Sequence, residues 1–182
     1  MSVVLHLIRH GQSTANRAKL IAGWTDSPLT DRGREQATRL ASFITPSQYA
    51  SAWSSDLSRA RETARLAGLT PTADARLREL NFGHLEAQSW LDVAEKHSES
   101  LGDFDRFVAP GGEPVTALRS RVFEFLDELP RGTHAVVCHG GVIRVVLSSM
   151  GTHRFVANCS LVKVDWTSRV LLAEEPLPDA PT

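Results

Sequence analysis

The chain has 182 residues, with 20 Lys and Arg against 21 Asp and Glu for a formal net charge of −1. That length suits one domain with a full core, and the near-neutral balance gives no case for nucleic acid or an acidic membrane as the main partner. Cys138 and Cys159 lack metal-ligand spacing, no apolar stretch approaches a membrane span, and the first apolar run is cut short by Arg9 and His10, so a cytoplasmic protein with reduced thiols is expected, a disulfide being left open.

An apolar run over residues 3–8 reads as a buried strand that stops at Arg9-His10-Gly11. A polar loop follows, and the turn around Asp26-Ser27-Pro28 leads to a helix over about 31–44. Thr30 or Asp31 would cap that helix, Ala37, Leu40, Ala41 and Ile44 would form its apolar face, and Pro46 would end it. Gly33 is costly inside a helix and points to a close backbone contact. Residues 50–54 form a second expected strand. Ser55-Asp56 would cap a helix with Leu57, Ala60, Ala64 and Ala67 inward and Arg59 in its first turn, closed by Gly68.

Residues 75–81 read as a short strand or extended segment, and 89–97 as a helix. The stretch 84–112 has the weakest periodicity, and Pro110-Gly111-Gly112-Glu113-Pro114 is a loop. A helix is expected over about 115–129, a strand over 134–138, a turn at His139-Gly140-Gly141, and a short buried helix over 142–150. A closing hairpin over 159–166 and 169–173 precedes a Pro-rich tail, 176–182, expected to be disordered. Alternating strands and helices without a repeat predict one three-layer α/β/α domain over residues 1–175, its sheet mostly parallel with a C-terminal antiparallel hairpin.

In such sheets ligands gather beyond the carboxyl ends of strands, where Arg9 and His10 fall. Arg59, just past a strand end in the first turn of a helix, sits where an anion gains from helix N–H groups. Arg-His-Gly after an N-terminal strand with Asn16 six residues past the His, Gly23 with residues 26–33, Ser54-Ser55-Asp56-Leu57-Ser58-Arg59-Ala60-Arg61-Glu62-Thr63-Ala64, Leu77-Arg78-Glu79-Leu80-Asn81-Phe82-Gly83, and Val136 to Arg144 follow one another in order. Together they resemble the histidine phosphatase (phosphoglycerate mutase-like) superfamily over nearly the whole chain.

The resemblance implies a phosphomonoester hydrolase of the compact branch acting on a small phosphorylated metabolite, with His10 as nucleophile and a phosphohistidine intermediate. Arg9 and Arg59 would clamp the phosphoryl oxygens, each through two N–H groups. A protonated His139 would donate to a phosphoryl oxygen beside the backbone N–H of Gly140. Asn16 would add a side-chain amide and Gly23 a backbone N–H. Glu79 would be the general acid and then base, a role that needs a carboxyl able to hold a proton beside a phosphate dianion. No metal and no cofactor are required, and a monomer or homodimer is expected. The chain departs from the family pattern at Ala22, where relatives often carry a polar residue, at His84-Leu85-Glu86-Ala87, and at Cys138, where Ser or Thr is frequent.

Three alternatives stay open. Cys138 to Arg144 satisfies Cys-x5-Arg, the signature of cysteine-dependent phosphatases, although that reading leaves Arg9, His10, Arg59 and Glu79 without a role. A phosphoglycerate mutase would use the same phosphohistidine, and the short stretch between Glu79 and His139 favours water as acceptor instead. A non-catalytic phosphate-binding domain would be expected to lack the nucleophile or the acid. The preferred phosphomonoester would be decided by residues 84–112.

Overall fold

The structure is a computed structural model that describes residues 2–97 and 104–175. Its strands are β1 (Val3–Arg9), β2 (Ser51–Ser54), β3 (Thr72–Ala73), β4 (Gly132–Cys138), β5 (Leu161–Asp165) and β6 (Val170–Glu175). Its helices are α1 (Thr14–Ala18), α2 (Asp31–Leu40), α3 (Ser58–Leu66), α4 (Trp90–Lys96), α5 (Val115–Asp127) and α6 (Gly140–Ser148). The six strands form one sheet in the order β3-β2-β4-β1-β5-β6. Pairs β1–β4, β2–β4 and β2–β3 are parallel, and β5 and β6 add antiparallel edges beside β1.

Side chains alternate across a strand, so one sheet feeds two cores. Leu5 and Leu7 of β1 and Val136 and Cys138 of β4 point to one face, where Leu118, Val122, Val142 and Val146 of α5 and α6 cover them. Ile8, Ala135 and Val137 point to the other, under Leu40 of α2 and Ala60 and Ala64 of α3. Both central strands are thus buried on both faces, which is why they read as unbroken apolar runs. Each fully buried Leu, Ile or Val contributes about 1.5–3 kcal/mol. The expected three-layer, mostly parallel architecture with an antiparallel C-terminal pair is the one observed.

Several boundaries differ for identifiable reasons. Helix α2 ends at Leu40 because Ala41, Ser42 and Phe43 bond back three residues, tightening the chain into a turn; Pro46 then opens a separate 3-10 turn, Pro46–Gln48. Thr30 caps α2 as expected, its hydroxyl accepting from Gly33 N–H at 3.0 Å. Gly33 meets its expected close contact, since a β-carbon there would collide with the Gln12 carbonyl. Ser55-Asp56 do not cap α3: Leu57 holds the cap position without a side-chain bond, and the Asp56 carboxylate pairs with Arg78.

Residues 75–81 are not a strand. The Asp74 carboxylate accepts from Arg76 N–H and binds its guanidinium, which folds Ala75–Leu77 into a 3-10 turn. Gly140-Gly141 are the first turn of α6 rather than a turn before it. Cys159 lies in the connection before β5 with φ of 58°. Both cysteines are free. The proline-rich tail expected to be disordered lies outside the described residues. Among those described, no helix is long and apolar enough to cross a membrane.

Candidate active site

The parallel pairing of β1 with β4 sets Arg9 opposite Cys138, so the next residues, His10 and His139, leave the sheet side by side at its carboxyl edge. His10 N–H donates to the Cys138 carbonyl at 3.0 Å, and the two imidazole rings lie 5.1 Å apart at 62°. His10 Nδ1 is 2.7 Å from the Gly11 carbonyl, which can only accept. The ring hydrogen is therefore on Nδ1, and Nε2 keeps its lone pair. Burial, with the positive charges of Arg59 and Arg9, holds the His10 pKa well below its ordinary value. The ring is neutral at physiological pH.

Arg59 is the second residue of α3 and almost fully buried. Its Nη2 donates to the Gly23 carbonyl at 2.7 Å and Nη1 to that of Thr25 at 3.2 Å. Gly23 has φ of 53°, and the Glu86 carboxylate occupies the space a β-carbon would need. That carboxylate accepts from Trp24 N–H and Thr25 N–H, both at 2.8 Å, from the Thr25 hydroxyl, and from Phe82 N–H. Glu86 thereby fixes the loop on which Arg59 leans. Arg9 donates through Nη1 to the Val156 carbonyl at 2.5 Å. Burial lowers both arginine pKa values, yet a guanidinium so basic stays charged.

Among the buried side-chain atoms without a hydrogen-bond partner in the described residues are Nε of Arg9, Nε of Arg59 and both ring nitrogens of His139, one of which is a donor and the other an acceptor when the ring is neutral. Buried polar groups are nearly always satisfied, so unpartnered Nε atoms on two arginines that line one cavity point to an acceptor bound there. His139 itself is held neutral by burial and by Arg59, His10 and Arg9. The expectation of a protonated His139 therefore holds only where a nearby anion offsets those charges.

Glu79 lines the same cavity as His10, from the loop after the 3-10 turn. Its carboxylate accepts from Gly141 N–H at 3.0 and 3.1 Å and from Leu80 N–H at 2.9 Å, at the start of α6. A β-carbon at Gly140 would lie 3.6 Å from the Arg9 guanidinium and 3.8 Å from Glu79 Oε2, so Gly140 sits between the two. Arg121 of α5 ties this loop down, donating to the carbonyls of Arg76, Arg78 and Glu79 at 2.7–2.8 Å while pairing with Glu113.

These groups surround one cavity of about 360 Å³. Arg9, His10, Asn16, Gly23, Arg59, Glu79 and Gly140 line it; His139 does not, but lies fully buried behind His10. Of the residues singled out in the sequence for phosphohistidine chemistry, all but His139 line this cavity. Cys138 does not: its thiol is packed in the core under α5 and α6, where burial pushes its pKa far up. Arg144 is inside helix α6, with its guanidinium carbon 3.9 Å over the Phe104 ring. The Cys-x5-Arg spacing builds no anion loop here.

One residue lining this cavity was invisible in the sequence. Asn158 donates from Nδ2 to the His10 carbonyl at 2.8 Å and to Asn16 Oδ1 at 3.2 Å. Asn16 Oδ1 also accepts from Ser13 N–H in the capping box of α1, so the Asn16 NH2 is left for the cavity. Asn158 sits between the end of α6 and β5, in a stretch with neither helical nor strand periodicity. Among the described residues no group of three His, Cys, Asp or Glu side chains is arranged to hold a metal ion.

Comparison with known proteins agrees with this geometry. The family model for the histidine phosphatase superfamily, branch 1, matches residues 5–174. A Yersinia pestis (strain Pestoides F) protein named a probable phosphoglycerate mutase GpmB is 34% identical over 189 residues, covering 93% of this chain and 87% of its own. The crystal structure of a phosphoglycerate mutase from Thermus thermophilus superposes with a TM-score of 0.88 at 42% identity, covering 96% of this chain and 99% of that one. A structure from Escherichia coli K-12, provisionally described as an alpha-ribazole-5'-P phosphatase, gives 0.80 at 27% identity, covering 98% and 97%.

Proposed function

The chain belongs to branch 1 of the histidine phosphatase superfamily, and from that membership and its cavity we propose that it is a phosphomonoesterase working through a phosphohistidine on His10. The observation that carries this reading is the pair of guanidiniums, Arg9 and Arg59, each with an unpartnered buried Nε, lining one cavity with a neutral imidazole whose ring hydrogen is on Nδ1. A phosphoryl dianion supplies the missing acceptors and lets His139 hold a proton.

In the first step His10 Nε2 forms a bond to phosphorus while the P–O ester bond breaks, and the protonated Glu79 carboxyl gives its proton to the leaving alkoxide. The guanidiniums of Arg9 and Arg59 meet the charge on the phosphoryl oxygens, and Asn16 and Gly23 complete the cage. In the second step water attacks phosphorus, Glu79 takes its proton, and the Nε2–P bond breaks to release inorganic phosphate. The neutral imidazole is restored, and Glu79 is again protonated.

A mutase reading has one finding in its favour, the names of the Yersinia and Thermus relatives. Against it, the short stretch between Glu79 and His139 favours water as the acceptor; beyond the cage the lining mixes Leu20, Ile21, Ala22 and Phe82 with the cations Lys19, Arg144 and Arg154, the last paired with Glu174. Phosphate release from a phosphomonoester, measured beside isomerisation of 3-phosphoglycerate in the presence of its bisphosphate, tests the reading. Phosphate release should dominate; isomerisation faster than release would overturn it.

A further inference from the structure

The cavity is larger than a phosphoryl group needs, at the size (roughly 300–1,000 Å³) that usually encloses a whole small ligand. Its lining combines two chemistries. The cage around Arg9, His10 and Arg59 is built of charged and polar donors; the rest, toward the exposed mouth, carries the large apolar side chains Leu20, Trp90, Leu91, Phe104 and Phe155 together with the cations Lys19, Arg144 and Arg154. Leu91 and Phe155 are 65% and 62% exposed, and Leu20 37%. Large apolar side chains left open around one concave site usually mark a place where an apolar group is bound.

The rings there are arranged to take a flat partner. Trp90 and Phe155 meet edge to face, with centroids 6.1 Å apart. The Arg144 guanidinium carbon sits 3.9 Å over the Phe104 ring and 5.9 Å from the Phe155 ring centroid. Phe155 is also 6.0 Å from the guanidinium of Arg9, so it bridges the phosphate cage and the mouth. Main-chain bonds fix one side of this wall: Trp90 N–H donates to the Lys19 carbonyl at 2.9 Å and Ile21 N–H to that of Gln88 at 3.0 Å. A planar group joined to the phosphate through a short arm would lie against Phe155 with an edge toward Trp90.

We propose that the cavity mouth is a leaving-group subsite for a flat apolar ring, so that the chain prefers phosphomonoesters of aromatic-bearing alcohols to those of small polar ones. This rests on the phosphomonoesterase reading above for the placing of the phosphate. Turnover and binding are therefore measured separately. The turnover pair is 2-(1-naphthyl)ethyl phosphate and propyl phosphate, whose alkoxides leave with similar ease. The binding pair is the two corresponding phosphonates, which cannot be hydrolysed, titrated by calorimetry.

The naphthyl phosphonate should bind at least about tenfold tighter than propylphosphonate, about 1.4 kcal/mol, and kcat/KM should show the same order of preference. Phe155→Ala and Leu91→Ala truncate exposed side chains that support no core, and each should reduce the preference several-fold. Equal affinities for the two phosphonates, or a preference that both variants leave intact, would overturn the subsite. If the naphthyl phosphonate binds tighter but neither ester releases phosphate, the subsite stands and the phosphatase reading falls. If both esters are hydrolysed with equal kcat/KM and the phosphonates bind alike, the reverse holds.

Discussion

Gly141→Ala gives a narrow test of the acid role of Glu79. A β-carbon at residue 141 would collide with Glu79 Oε1 and come within 3.3 Å of its carboxyl carbon, with Leu118 behind it at 3.5 Å. The carboxylate must leave the two bonds it accepts from Gly141 N–H. Alanine suits a helix better than glycine by about 1 kcal/mol, so α6 should form at least as readily and the melting temperature should hold within a few degrees. The cost should fall on proton transfer. A positioned general acid is worth roughly a hundred- to ten-thousandfold, so a displaced one should lower kcat on an alkyl phosphate by about a hundredfold. p-Nitrophenyl phosphate, whose leaving group needs no proton, should lose less than about tenfold. Steady-state kinetics on the two substrates, with Glu79→Gln as reference, provide the readout. An equal loss on both substrates, or none on the alkyl ester, would refute the assignment.

Arg59→Lys keeps the charge but not the planar fork that spans the Gly23 and Thr25 carbonyls and the cavity. Losing charged hydrogen bonds of about 1.5–3 kcal/mol each should lower kcat/KM by roughly a hundredfold or more; unchanged kinetics would contradict its role as clamp. Stability should fall as pH drops below 6.5. His6, beside the Tyr49 hydroxyl, has its pKa lowered to about 4 by burial, and His10 and His139 are lowered as well. The unfolded chain therefore takes up more protons between 6.5 and 4. At about 1.4 kcal/mol per pH unit, His6 alone accounts for at most ~3 kcal/mol by pH 4. A melting temperature independent of pH from 7 to 4.5 would contradict this. Cys138→Ala should leave kcat within about threefold, because the buried thiol faces the core; loss of turnover would revive the cysteine mechanism.

Residues attached to periodic elements are legible in the amino-acid sequence. Arg9-His10 and His139 follow apolar runs that could only be central strands, and Arg59 is placed by the alanine stripe of α3, so the sheet itself brings them together. Asn158, Arg121 and Glu113 are not legible in this way. Their work consists of hydrogen bonds to main-chain carbonyls, or to each other, across long sequence distances, and no local pattern encodes such a partner. The expected cap at Asp56 failed for a related reason. Its carboxylate has a guanidinium 22 residues away, and that pairing displaces the local bond. No strand forms over 75–81, and Ala75–Leu77 leave the extended path because Asp74 captures Arg76, a turn that apolar spacing does not report.

The most direct measurement is of the intermediate itself. The protein is mixed briefly with a phosphomonoester, quenched in alkali and mapped by peptide mass spectrometry. The account requires one phosphoryl group on the peptide carrying His10, stable in base and lost in acid, and absent from His10→Ala. A phosphoryl group on Cys138, or steady release of inorganic phosphate by His10→Ala at the rate of the unmodified chain, would contradict it.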